Sequence, residues 1–153
     1  MSITRHPLYD DPRSLAPAPL DEGLVRRLEA SFRVLGGEAD ALAERFYERL
    51  FRRAPAVRRL FPEDLREQRK KLVAALAFVV EHLRSPDEVL PRLRALGTAH
   101  VKYGARPEHY PIVCEELVLA MGEIAGTAWD PNIERDWKNA LHLVSAAMIA
   151  GAA

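Results

Sequence analysis

Apolar residues recur along most of this chain at intervals of three and four, the spacing that lines one face of an α-helix. The first run, Leu24, Leu28, Phe32 and Leu35, follows Asp21, a residue able to cap a helix, and stops at Gly36-Gly37. A second run holds Leu42, Phe46 and Leu50, with Tyr47 and Phe51 beside them. Pro55 opens a short third helix that ends near Phe61. Pro62, Glu63 and Asp64 predict the start of a long helix with Leu65, Leu72, Leu76, Val79, Val80 and Leu83 on its inner side, punctuated at Ser85-Pro86-Asp87. The next run, Leu90, Leu93 and Leu96, leads to His100; Tyr103-Gly104 and then Pro107 predict a stop within one turn of it. Another helix is predicted from Pro111 to about Ala125, with Val113, Leu117, Ala120 and Ile124 inward. Asp130-Pro131 reads as a cap and a first helical residue, and Ile133, Trp137, Leu141, Val144 and Met148 line the last helix. No segment alternates with the period of a strand, and the connections are short. The pattern predicts a compact all-α fold.

The first twenty residues break the pattern. Pro7, Pro12, Pro17 and Pro19 resist both helix and strand, so 1–20 is read as an irregular tail that can touch the domain through Leu8, Tyr9 and Leu15. Residues 21–153 then form one domain, as a length of 153 suggests.

Composition narrows the classes. Hydrophobic residues make up 48% and charged residues 29%, the mix of a soluble globular chain. The 22 basic and 22 acidic residues cancel, which gives no electrostatic ground for binding nucleic acid. No apolar run approaches the ~18 residues of a membrane span, and the N-terminus lacks the apolar segment of a secretory signal. A cytoplasmic location is expected, with no membrane partner. The single cysteine, Cys114, rules out an internal disulfide and reads as a core thiol.

Candidate chemistry centres on His100. It sits in the last turn of an apolar helix and faces the start of the next, where an imidazole can bind something held between helices. Leu93 and Leu96, at i−7 and i−4, share its face. Gln68 and Leu72 are one turn apart and share another. His6, His82, His109 and His142 have no metal-like spacing with one another. There is no glycine-rich phosphate loop, no paired-cysteine site and no nucleophile turn.

The stretch His100–Val113, HVKYGARPEHYPIV, resembles the proximal segment of bacterial single-domain haemoglobins, relatives of the haem domain of flavohaemoglobins. AVRRLF (Ala56–Phe61) and RFYERLF (Arg45–Phe51, similar to the family's FYxxLF) arrive in order before it. The resemblance runs from about Asp21 to about Ala150. It implies a globin fold around a pocket for haem b, with His100 as the iron ligand. It also implies that Phe61 stacks beside the haem and that Tyr47, Gln68 and Leu72 lie over the open iron position. A phenol O–H and an amide N–H can both donate to a bound gas there, while Leu72 keeps the pocket apolar. Leu96 and Val113 are expected to line the pocket, and Lys71 and Tyr103, with Lys102, to meet the haem propionates at its mouth. Tyr110 either bonds to His100 or is a structural tyrosine. One departure is visible: flavohaemoglobins carry a glutamate on the last helix acting on the proximal imidazole, and its position here falls at or near Ala152, with no carboxylate after Asp136. That puts a strongly activated proximal side in doubt.

The function so implied is reversible binding of O2, CO or NO, as in oxygen transport, storage or sensing. A nitric oxide dioxygenase, acting in nitric oxide detoxification with a separate reductase, is the enzymatic alternative, because the sequence carries no flavin or nicotinamide segment. A non-haem, globin-like sensor or interaction module is the third reading. A monomer or weak homodimer is expected.

Overall fold

The computed structural model describes residues 21–152; the tail predicted for 1–20 lies outside the described residues. Six α-helices follow in order: α1 (Glu22–Gly36), α2 (Ala39–Arg53), α3 (Arg66–Glu81), α4 (Pro86–Lys102), α5 (His109–Ala125) and α6 (Pro131–Ala152). A 3-10 turn, Pro55–Leu60, joins α2 to α3, and a shorter one, Gly126–Ala128, joins α5 to α6. No strand occurs among the described residues.

The caps read from the sequence are present. The Asp21 carboxylate accepts from Leu24 N at 3.1 Å, and Asp130 Oδ1 accepts from Ile133 N at 2.9 Å, each satisfying one of the free N–H groups of a first turn. Two predicted starts shift. Helix α3 begins at Arg66, not at Pro62–Asp64. The Arg58 guanidinium accounts for the difference: it donates to the carbonyls of Phe61 (3.3 Å), Pro62 (3.0 Å) and Glu63 (3.0 Å), holding that segment as a loop. Helix α5 begins at His109, two residues before Pro111. Pro111 is still tolerated, because the first four N–H groups of a helix have no partner within it.

The core lies where α1, α2, α5 and α6 meet, and Leu28, Leu35, Leu42, Leu50, Met121 and Trp137 are its large buried members. Trp137 ties the last helix to the first: its Nε1 donates to Ser31 Oγ at 2.8 Å, and Ser31 donates to the Leu28 carbonyl at 3.0 Å. Beside it Arg27 bonds to Asp136 at 2.6 Å. Cys114 is buried, as expected, against Leu141 and Ser145, and burial pushes its thiol pKa up.

An ion-pair ladder fastens α2 to α5. Arg45, Arg49 and Arg53 recur every fourth residue and meet Glu115, Glu116 and Glu123. Glu116 is the inner rung, with its carboxylate side chain 7% exposed and shared between Arg49 (2.9 Å) and Arg53 (3.0 Å). Glu116→Gln leaves the shape and removes the charge. We expect it to cost about 1–2 kcal/mol, water at the half-exposed arginines limiting the loss, and to lower the thermal midpoint by a few degrees. An unchanged midpoint in low salt would show that the ladder adds nothing to stability.

Candidate functional site

Helices α3 and α4 are consecutive in the chain yet hardly touch. α3 packs against α2 and α1, whereas α4 packs against α6. Several apolar side chains on these elements and their neighbours are only half-buried: Phe61 at the end of the 3-10 turn, Leu72 on α3, Leu96 on α4, and Ile112 and Val113 on α5. Two helices held by different partners leave room for a slot between them, and these residues are its candidate walls.

On one side of the slot the aromatic residues cluster. Tyr47 is 4% exposed. Its ring lies 5.6 Å from Phe61 and 5.8 Å from Phe51, and Phe51 lies 5.3 Å from Phe61, all in tilted or edge-on geometry. Arg58 closes the cluster from outside, its guanidinium 5.0 Å from the Phe51 ring while it binds the loop after Phe61. Sequence reasoning singled out Tyr47 and Phe61 but not Arg58; its place inside AVRRLF beside the aromatic residue was the available signal.

Gln68 reaches across from α3, and its Nε2 donates to the Tyr47 hydroxyl oxygen at 3.3 Å. This matters for direction. The amide uses the phenol's acceptor side, so the Tyr47 proton is left to donate elsewhere, and a donor that itself accepts a hydrogen bond is polarised toward donating. Burial pushes the Tyr47 pKa above its ordinary value, the Gln68 bond opposing it, so the phenol stays protonated at neutral pH. The two residues read as parallel donors in the sequence are thus arranged in series.

On the other side stands His100, half-buried near the end of α4. Its Nδ1 lies 2.8 Å from the Leu96 carbonyl one turn earlier. A carbonyl can only accept, so in the neutral ring the proton belongs on Nδ1 and the lone pair on Nε2, which has no partner among the described residues. That is the tautomer a metal ligand needs. Tyr110 makes no bond to His100 here; it is half-buried on α5, and burial raises its pKa. The last turn of α6 brings no carboxylate. Among the described residues no three His, Cys, Asp or Glu side chains gather as a metal cage.

The α4–α5 corner follows His100 directly. Tyr103 is 66% exposed, with its ring 6.5 Å from that of His100, and Lys71 and Lys102 are exposed on α3 and α4. Gly104 turns the chain with φ +97°, and a Cβ there would come within 2.9 Å of Leu60. Only glycine combines that dihedral with that approach. His82 and His109 lie outside the slot, bonded locally to Phe78 O and Arg106 N.

Comparison with known proteins came out as follows. A protein-family model described as Globin matches residues 44–148. Curated relatives named flavohemoprotein include those of Rhodopirellula baltica (32% identical over 117 residues, 74% of this chain and 29% of that protein) and Bacillus subtilis (27% over 133 residues, 85% and 33%). The chain therefore spans about one third of the length of the curated relatives it matches. Among solved structures, an engineered carbene transferase derived from a candidate nitric oxide dioxygenase of Rhodothermus marinus superposes with TM-score 0.78 at 26% identity, covering 87% of this chain and 93% of that one. A bacterial globin from Campylobacter jejuni gives TM-score 0.77 at 21% identity, covering 86% and 96%, and speaks for the fold.

Proposed function

Since this chain belongs to the globin family, we propose that the slot between α3 and α4 holds one haem b and that the protein binds diatomic gases there reversibly. The observation that carries this reading is the half-buried His100 ring, with Nδ1 2.8 Å from Leu96 O and Nε2 without a hydrogen-bond partner among the described residues. A bound haem would supply an iron with one open position for O2, CO or NO. The protein does the rest. His100 Nε2 would be its iron ligand, and Phe61, Leu72, Leu96 and Val113 would exclude water. The Tyr47 hydroxyl, held by Gln68, offers its proton to the bound gas. Lys71 and Tyr103 hold the propionates, and Tyr110 walls the proximal side. With Cys114 buried in the core, thioether attachment has no candidate pair, which fits a non-covalent haem.

The proximal partner decides between reactivities. A carbonyl polarises imidazole less than a carboxylate does, so His100 pushes less electron density than a carboxylate-bonded histidine would. That favours stable gas binding over cleavage of a bound O–O bond. The second reading is nitric oxide dioxygenase activity with electrons from a separate reductase; the flavohemoprotein relatives favour it, as does the Tyr47–Gln68 pair.

The test is the visible spectrum of the purified, haem-reconstituted protein, ferric, reduced, and reduced under O2 and CO. A Soret band that moves with each gas supports the binder; failure to take up haem removes the reading. Nitric oxide consumption with a generic flavin reductase then separates the two functions. Sustained turnover marks the enzyme, and one stoichiometric burst marks the binder.

A further inference from the structure

We propose that Gly97 and Gly151 are positioning residues that set where His100 stands in the slot, by letting α4 and α6 meet backbone to backbone. This rests on the reading of His100 as an axial ligand.

The contact is unusually close. A Cβ built on Gly97 would lie 1.9 Å from the Met148 carbonyl oxygen and 2.8 Å from Met148 Cα. A Cβ on Gly151 would lie 2.4 Å from Arg94 Cα and 2.5 Å from Arg94 O. Each helix thus supplies one glycine to the other's main chain, and Thr98 Oγ1 adds a bond to Gly151 O at 3.0 Å. Since carbon and oxygen atoms normally sit about 3.5 Å apart, a methyl at either glycine would force the helices apart by roughly 1 Å or more. Glycine weakens a helix interior relative to alanine, so two of them facing each other across one seam call for a packing reason.

The second part is what else holds α4. It packs on α6 and hardly touches any other helix. The height and tilt of α4 are therefore fixed by this seam. Gly97 lies in the turn that ends in His100, and the Leu96 carbonyl that orients the imidazole is its immediate neighbour. A displacement at Gly97 reaches the imidazole with no compliant element between them. A shift of about 1 Å in a reacting group can change a rate 10²-fold.

The experiment compares wild type, Gly97→Ala, Gly151→Ala and Thr98→Val, all haem-loaded, with Gly36→Ala as a control at a position where an added Cβ meets nothing within 4 Å. The readouts are the iron–histidine stretching band of the ferrous protein and the CO and O2 dissociation rates, with thermal midpoint measured alongside. We expect a displaced band and a ~10–100-fold change in O2 dissociation for the alanine variants, a smaller displacement for Thr98→Val, and no change for Gly36→Ala. A merely structural seam would lower the midpoint and leave the band where it is, which overturns the proposal. Should both alanine variants fail to fold, Thr98→Val decides: an unmoved band overturns it. The final arm frees the imidazole from α4. In His100→Gly supplied with imidazole, adding Gly97→Ala should no longer move the band; an equal displacement there would show that the effect does not pass through His100. A wild type without any iron–histidine band instead removes the axial-ligand reading itself, a distinguishable failure.

Discussion

His100→Ala is expected to emerge from purification essentially without haem, with its helical circular dichroism intact. The two halves of that statement have separate causes. On the proposed reading His100 is the iron ligand, and its Nε2 has no hydrogen-bond partner among the described residues. The apolar walls alone would bind the macrocycle loosely and without a defined orientation. The fold survives because the change truncates a half-buried side chain near the end of α4, while α4 stays docked on α6 through its own backbone. The measurement is the ratio of Soret to protein absorbance beside the far-ultraviolet spectrum, with added imidazole as rescue. Normal haem content and unchanged ligand spectra in this variant would mean that the wrong residue has been assigned.

The second large effect is expected from Tyr47→Phe, which should speed O2 dissociation by ~10–100-fold and change CO dissociation far less. A hydrogen bond to a charge-bearing acceptor is worth about 1.5–3 kcal/mol, and O2 accepts negative charge from ferrous iron more strongly than CO does. The substitution removes one oxygen atom and retains a ring that packs on Phe51 and Phe61, so stability should change little. Gln68 supplies the check on mechanism. Because its amide donates to the Tyr47 oxygen, Gln68→Ala should slow nothing and speed release modestly in the wild type. In Tyr47→Phe it should have almost no further effect, as expected for residues acting in one chain. Independent, additive effects would mean that Gln68 contacts the bound gas on its own.

Much of this architecture is legible in the chain because helical periodicity and capping are local. Asp21, Asp130 and Pro131 mark boundaries within a few residues of themselves, and the apolar spacing names the inward face of each helix without knowledge of its partner. The same locality explains what was missed. The start of α3 is displaced by Arg58, a side chain from the preceding turn that satisfies three carbonyls in the loop after it; no propensity carries that. The series arrangement of Gln68 and Tyr47 depends on which way an amide points across two helices 21 positions apart. Gly97 and Gly151 look in the sequence like weak points of their helices, and only the approach of two main chains gives them a reason. The candidate pocket residues come from a resemblance that keeps several landmarks in order. Spacing by itself yields one histidine at a helix end and no more.

The dependence of α4 on α6 also bears on how the protein is made. During synthesis α4 leaves the ribosome well before α6, and until α6 follows, the helix bearing His100 lacks the one helix it packs on extensively. The earlier helices can begin to collapse around the α2 core while the chain is still growing, but His100 has no fixed place. If His100 is the ligand proposed above, cofactor capture would be a late event in the life of each molecule. A chain cut short within α6 would be a globin scaffold that cannot mature.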